Sequence, residues 1–121
     1  MTPAFLAVYL LLQSVTPEVI EHAQAGEAAA REGRLDVAIQ EFRKVTELQP
    51  NSAVYHAHLG DAYFKNGQYE EATAELKTAL RLNPEMLDTH QSLGVLLLME
   101  GNAEANGYRA SIARYCWRVA R

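Results

Sequence analysis

The sequence predicts an all-α solenoid built from about three helix–turn–helix units of 34 residues. Marker residues return at that interval. They are Gly26, Gly60 and Gly94, then Gly33, Gly67 and Gly101, then His22, His56 and His90; Ala38 is matched by Ala72 and Pro50 by Pro84. Between the markers, apolar and small residues recur three and four apart, the spacing of one helix face. In Ala53–Pro84 these are Leu59, Gly60, Ala62 and Tyr63 before Asn66-Gly67, and Tyr69, Ala72, Leu76, Ala79 and Leu80 after it. Neither half can hide its stripe from water alone, so the two fold back on each other as a helical hairpin.

Taken in order, the elements follow from local chemistry. Residues 1–15, MTPAFLAVYLLLQSV, hold an apolar run too short to span a bilayer as a helix. Three readings stay open for this segment, taken as residues 1–16: a secretory signal, a helix packed on the first repeat, or an uncleaved anchor. A signal would make the chain periplasmic or secreted; otherwise it is cytoplasmic. Thr16-Pro17-Glu18 reads as a helix start, with Thr16 as a side-chain cap and Pro17 at the first helical position. The first helix is expected over Pro17–Glu32 and stops at Gly33, which supplies a left-handed backbone. The second runs over Leu35–Leu48 and stops before Pro50. Asn51 or Ser52 caps the third, Ala53–Asn66. The fourth spans Tyr69–Leu82 and ends at Asn83-Pro84. The fifth is expected over Glu85–Glu100. Gly60 and Ala72 mark a close helix crossing, where only small residues let the axes approach.

After that the pattern fails. Asn106 stands where Ala38 and Ala72 stand in the other copies, and Arg118 stands in place of the proline. Residues 106–121 are basic. They read as a degenerate second helix, a capping helix, or a truncated or frame-shifted end. Up to Glu104 the chain has 15 acids against 7 Lys and Arg, whereas residues 105–121 have four Arg and no acid.

A 34-residue period with this G, Y, A and P spacing resembles the tetratricopeptide repeat (TPR) family. The copies begin at Val19, Ala53 and Leu87, and the resemblance covers most of the chain, with the array taken as residues 17–105. It implies a right-handed superhelix of hairpins. It also implies a non-catalytic scaffold that holds a protein or peptide partner in a concave groove lined by the first helix of each hairpin. Carried onto this chain, the groove positions are Glu27 and Arg31, then Val54, His58, Asp61, Phe64 and Lys65, then Gln91, Val95 and Leu98. Exposed apolar groups rimmed by charge, Phe64 and Leu98 among them, mark a contact surface. Some family members clamp a chaperone's C-terminal carboxylate. The matching positions here are Ala23, Glu27, His58, Asp88 and Ser92, so a carboxylate would meet like charge and clamp binding is not expected. The alternative is structural: apolar repeat ends stack on further repeats, giving a homo-oligomer or part of a larger assembly.

Composition narrows the remaining classes. The formal charge of −4 argues against nucleic-acid binding, which needs a basic footprint. One cysteine, Cys116, excludes an internal disulfide and a Cys-rich metal site. The periodic histidines fall on successive hairpins, about 8–10 Å apart by helix packing, so they are read as packing residues between helices and not as metal ligands. Glu70, Glu71 and Glu75 are read as a solvated helix face. No nucleophile–base pair or phosphate loop is present, and neither an enzyme activity nor a cofactor is expected.

Overall fold

The computed structural model describes residues 16–100 together with Ala4, Leu6, Arg114, Trp117 and Arg118. The readings made for residues 1–15 and 101–121 lie outside the described residues. Residues 16–100 form five helices: α1 Pro17–Arg31, α2 Leu35–Leu48, α3 Ala53–Lys65, α4 Tyr69–Leu82 and α5 Leu87–Met99. No strand occurs among the described residues.

Each helix packs on the one before it. The pairs α1–α2 and α3–α4 are the tight hairpins; α2 then packs on α3, α4 on α5, and α3 touches α5 more lightly. Three apolar clusters follow this order along the chain. Val19, Ala23 and Val45 form the first, with Tyr55 against them. Ala29, Ala38, Ile39, Phe42, Leu59 and Ala62 form the second. Ala72, Leu76, Leu80, Leu93, Leu96 and Leu97 form the third. Tyr63 packs on both the second and the third and joins them.

The turns and crossings obey the periodic residues. Gly33 and Gly67 have φ of +76° and +78°, the left-handed region that favours glycine. Arg34 N–H donates to Ala29 O at 2.9 Å and Gly33 N–H to Ala30 O at 3.2 Å, the paired bonds of a Schellman stop. Gln68 to Tyr63 O and Gly67 to Phe64 O repeat them one hairpin later. Gly26 and Gly60 instead mark contact. A Cβ on Gly26 would lie 2.8 Å from the Phe42 ring, and one on Gly60 would lie 2.7 Å from Leu76 Cγ.

Two expectations are corrected. Thr16 and Ser52 hold the cap positions, but neither side chain caps. Pro17 has no N–H to satisfy, and the carbonyls of Thr16 and Ser52 take the first helical bonds from Val19 and His56. The fifth helix begins at Leu87, not Glu85, because Asn83 Oδ1 accepts the Glu85 N–H at 3.1 Å and holds that turn out of the helix. Helices α1, α3 and α5 end within one residue of the expected bounds, with Glu32, Asn66 and Glu100 as their cap residues.

Candidate functional site

Helix α3 buries Ala57, Leu59, Gly60 and Ala62 and leaves another stripe uncovered. That stripe is Val54, His58, Asp61 and Lys65, spaced four, three and four apart, so it lies along one side of the helix. The 34-residue period places Ile20, Gln24, Glu27 and Arg31 in the same row of α1, and Asp88, Ser92, Val95 and Met99 in the same row of α5. All twelve positions are exposed or half-buried.

Two cavities flank this row. One, of about 240 Å³, is lined by Glu27, Ala30 and Arg31 of α1, by His58, Asp61, Ala62 and Lys65 of α3, and by Phe42 of α2. The other, of about 140 Å³, lies between α3 and α5 and is lined by Val54, Ala57, His58 and Asp61 with Met86, Asp88 and Thr89. His58 and Asp61 belong to both. The His58 ring stacks on Phe42, with centroids 5.4 Å apart and planes 25° from parallel. Burial is the largest influence on Asp61 and pushes its carboxyl above the usual range. A hydrogen bond from Ser92 and the charges of Lys65 and His58 partly offset this, and the charge of Asp88 adds to it.

Of the residues expected in the site, Glu27, Arg31, His58, Asp61 and Lys65 meet at the first cavity, and Val54 joins His58 and Asp61 at the second. Gln91, Val95 and Leu98 are exposed on α5 and line neither cavity. Phe64 is half-buried against the third core cluster, its ring meets Tyr69 at 5.9 Å, and it lines neither cavity. Phe42 and Met86 were missed. They belong to other elements than the expected groove helices, and their contribution comes from the hairpin geometry.

The periodic histidines do not converge. His22 Nδ1 pairs with Glu41 at 2.5 Å, and His56 Nδ1 with Glu75 at 2.6 Å. His56 Nε2 also meets the Pro50 carbonyl at 2.8 Å, as His90 Nε2 meets that of Pro84 at 2.7 Å. They are therefore polar ties between elements, not simple packing groups, and Glu75 is not a solvated bystander. The recurring 19-residue spacing of His22–Glu41 and His56–Glu75 was the available signal. No group of three or more His, Cys, Asp or Glu side chains among the described residues could hold a metal ion.

The sequence profile of the TPR repeat matches residues 26–67 and again 60–101. Together these cover more than half of the chain. The chain belongs to the tetratricopeptide repeat family. Solved TPR structures agree. "MamA 41-end from Desulfovibrio magneticus RS-1" is 21% identical, with a TM-score of 0.75 over 79% of this chain and 55% of that one. "First TPR of Spaghetti (RPAP3) bound to HSP90 peptide SRMEEVD" is 18% identical, with a TM-score of 0.73 over 81% and 80%. The second TPR of the same protein, bound to the same peptide, is 21% identical, with a TM-score of 0.76 over 82% and 93%. At these identities the likeness establishes the TPR fold. The chain spans about half the length of three of the MamA chains that it resembles and 74% of a fourth. No curated protein sequence matches it.

Proposed function

We propose that this chain is a non-catalytic TPR module that holds a peptide or protein segment in the groove along α1, α3 and α5. The observation that carries the reading is the alignment of three helix rows beside two cavities that share His58 and Asp61. Exposed Val54 adjoins those charges at the second cavity, and Val95 and Leu98 add exposed apolar surface on α5. The peptide-bound RPAP3 structures support this use of the fold. Glu27 and Asp88, at positions that match clamp residues in other TPR proteins, argue against a free carboxylate as the ligand.

Affinity capture from the native organism's lysate tests the groove, with a parallel bait carrying Asp61→Lys and Leu98→Glu. Both changes fall on side chains outside the described core, so circular dichroism is expected to match for the two baits. A partner held by the wild-type bait and lost from the double variant supports the groove. A partner held equally by both overturns it.

A second reading has its own observation. Val95, Leu98 and Met99 are 47%, 50% and 57% exposed on α5, so the last described helix presents apolar side chains to water. Self-association through this surface would cover them. Light scattering over a concentration series decides: growth in mass that Leu98→Glu abolishes supports it, and a monomer at every concentration removes it.

A further inference from the structure

We infer that the groove takes a cationic segment, one presenting a lysine or arginine between apolar side chains, with its cation against Asp61 and Asp88. The inference rests on the groove reading and names the chemistry of its guest.

The argument begins with how each row balances its charge. In α1, Glu27 is followed one turn later by Arg31, and in α3, Asp61 is followed by Lys65, so each of these rows carries an acid and a base at helical spacing. Helix α5 breaks the scheme. Asp88 is followed by Ser92, and Val95 and Met99 replace the acid and the base of the other rows. Leu87–Met99 contains no lysine or arginine at all. The cavity between α3 and α5 therefore collects two carboxylates, Asp61 and Asp88, and among its lining residues only His58 can carry positive charge. The rest of that lining is Val54, Ala57, Met86 and Thr89.

This is the surface that a long cationic side chain fits. Its methylene stem lies along Val54 and Met86 while its head reaches the carboxylates. A desolvated carboxylate beside a second one is relieved by an incoming cation and made worse by an anion. The raised carboxyl of Asp61 shows that this relief is not already complete. The surrounding field acts the same way: residues 16–100 carry 14 acids against 7 Lys and Arg, which draws cationic segments and repels acidic ones.

Fluorescence anisotropy on the full chain tests this with synthetic peptides of equal length and identical leucine content. They differ only in carrying arginine, glutamine or glutamate at the central polar positions. The arginine peptide is expected to bind roughly tenfold or more tightly than the glutamine peptide, a difference of about 1.4 kcal/mol, with the glutamate peptide weakest. Asp61→Asn with Asp88→Asn should erase that preference. Glu70→Gln with Glu71→Gln removes the same charge from exposed positions on α4 and should keep it. Equal affinity for arginine and glutamine peptides overturns the proposal, and so does equal loss in both double variants, which would mean net charge alone. In either case, a binding event still abolished by Leu98→Glu leaves the groove reading standing. No binding by any peptide also overturns it, while lysate capture judges the groove independently. Dimers of the unliganded chain that dissolve in the Asp61→Asn, Asp88→Asn variant would assign the site to a second copy and overturn a separate cationic partner.

Discussion

At the scale of single residues, glycines with the same spacing do different physical work. Gly60 is a contact glycine, with Leu76 in the space a Cβ would take. Gly60→Ala is expected to cost about 1–3 kcal/mol by overpacking, read from urea unfolding. Gly67 faces open space, so Gly67→Ala costs only the left-handed backbone, roughly 1–2 kcal/mol. Asparagine separates the two causes, since it tolerates that backbone: Gly67→Asn should recover much of the loss and Gly60→Asn should not. The acids divide as well. The hydrogen bond from His22 is the main cause that holds the Glu41 carboxyl below its usual 4.5. A depressed folded value stabilises the fold above pH 4.5, and the contribution is lost as pH falls through the folded value. The melting difference between wild type and Glu41→Gln should therefore shrink toward acid pH. Asp61 has the opposite sign. Burial raises it above 3.8, so its ionised form opposes folding, and this cost appears as pH rises through that range. Asp61→Asn is expected to melt higher at neutral pH while binding its partner less well. A residue kept only for stability would show the reverse.

At the scale of elements, each hairpin is closed by apolar contact and pinned by a histidine. His56 joins α3 both to Glu75 on α4 and to the carbonyl of Pro50 in the preceding turn. One ring thus fixes the hairpin and the angle at which the chain enters it. His56→Ala is expected to cost roughly 1.5–3 kcal/mol, as for hydrogen bonds to charged groups. A double-mutant cycle with Glu75→Gln should return a coupling of about 0.5–3 kcal/mol, and additive losses would contradict the tie. The helices themselves were legible because periodicity and glycine stops are local signals; α2 and α4 begin and end where their residues say. The start of α5 was not, because the Asn83 side chain competes with helix initiation, and sequence spacing does not show which side-chain bond wins. The site was legible to the same degree. The row Val54, His58, Asp61 and Lys65 follows from helical phase alone. Phe42 beneath His58, and Phe64 turned onto Tyr69, depend on how one helix leans on the next. Phase within one helix does not carry that information.

At the scale of the whole molecule, the row chemistry is graded along the solenoid: paired charges on α1 and α3 give way to an unpaired acid and exposed apolar groups on α5. The fold is shared with TPR domains that hold an acidic peptide, so shape alone would permit the same ligand here. On the proposed reading of the groove, charge argues against it. SRMEEVD ends in two glutamates, a valine and an aspartate with its free carboxylate, and Glu27, Asp61 and Asp88 would stand on the row that meets it. Each close approach of like charges costs about 4 kcal/mol at 4 Å for an effective dielectric near 20, before screening by salt. Arg31 and Lys65 offset this only beside the first cavity, whose lining they share with Glu27 and Asp61. Isothermal titration of this chain with SRMEEVD should therefore show no saturable heat at low ionic strength, where attraction or repulsion is least screened. Adding salt should not rescue binding, because the acids stay on the row. Replacing Glu27 and Asp88 with lysine reverses two of the opposing charges, and weak, salt-sensitive binding is then expected. Tight binding by the wild-type chain would mean that backbone and apolar contacts outweigh the acid row, and the electrostatic account of this groove would fall with it.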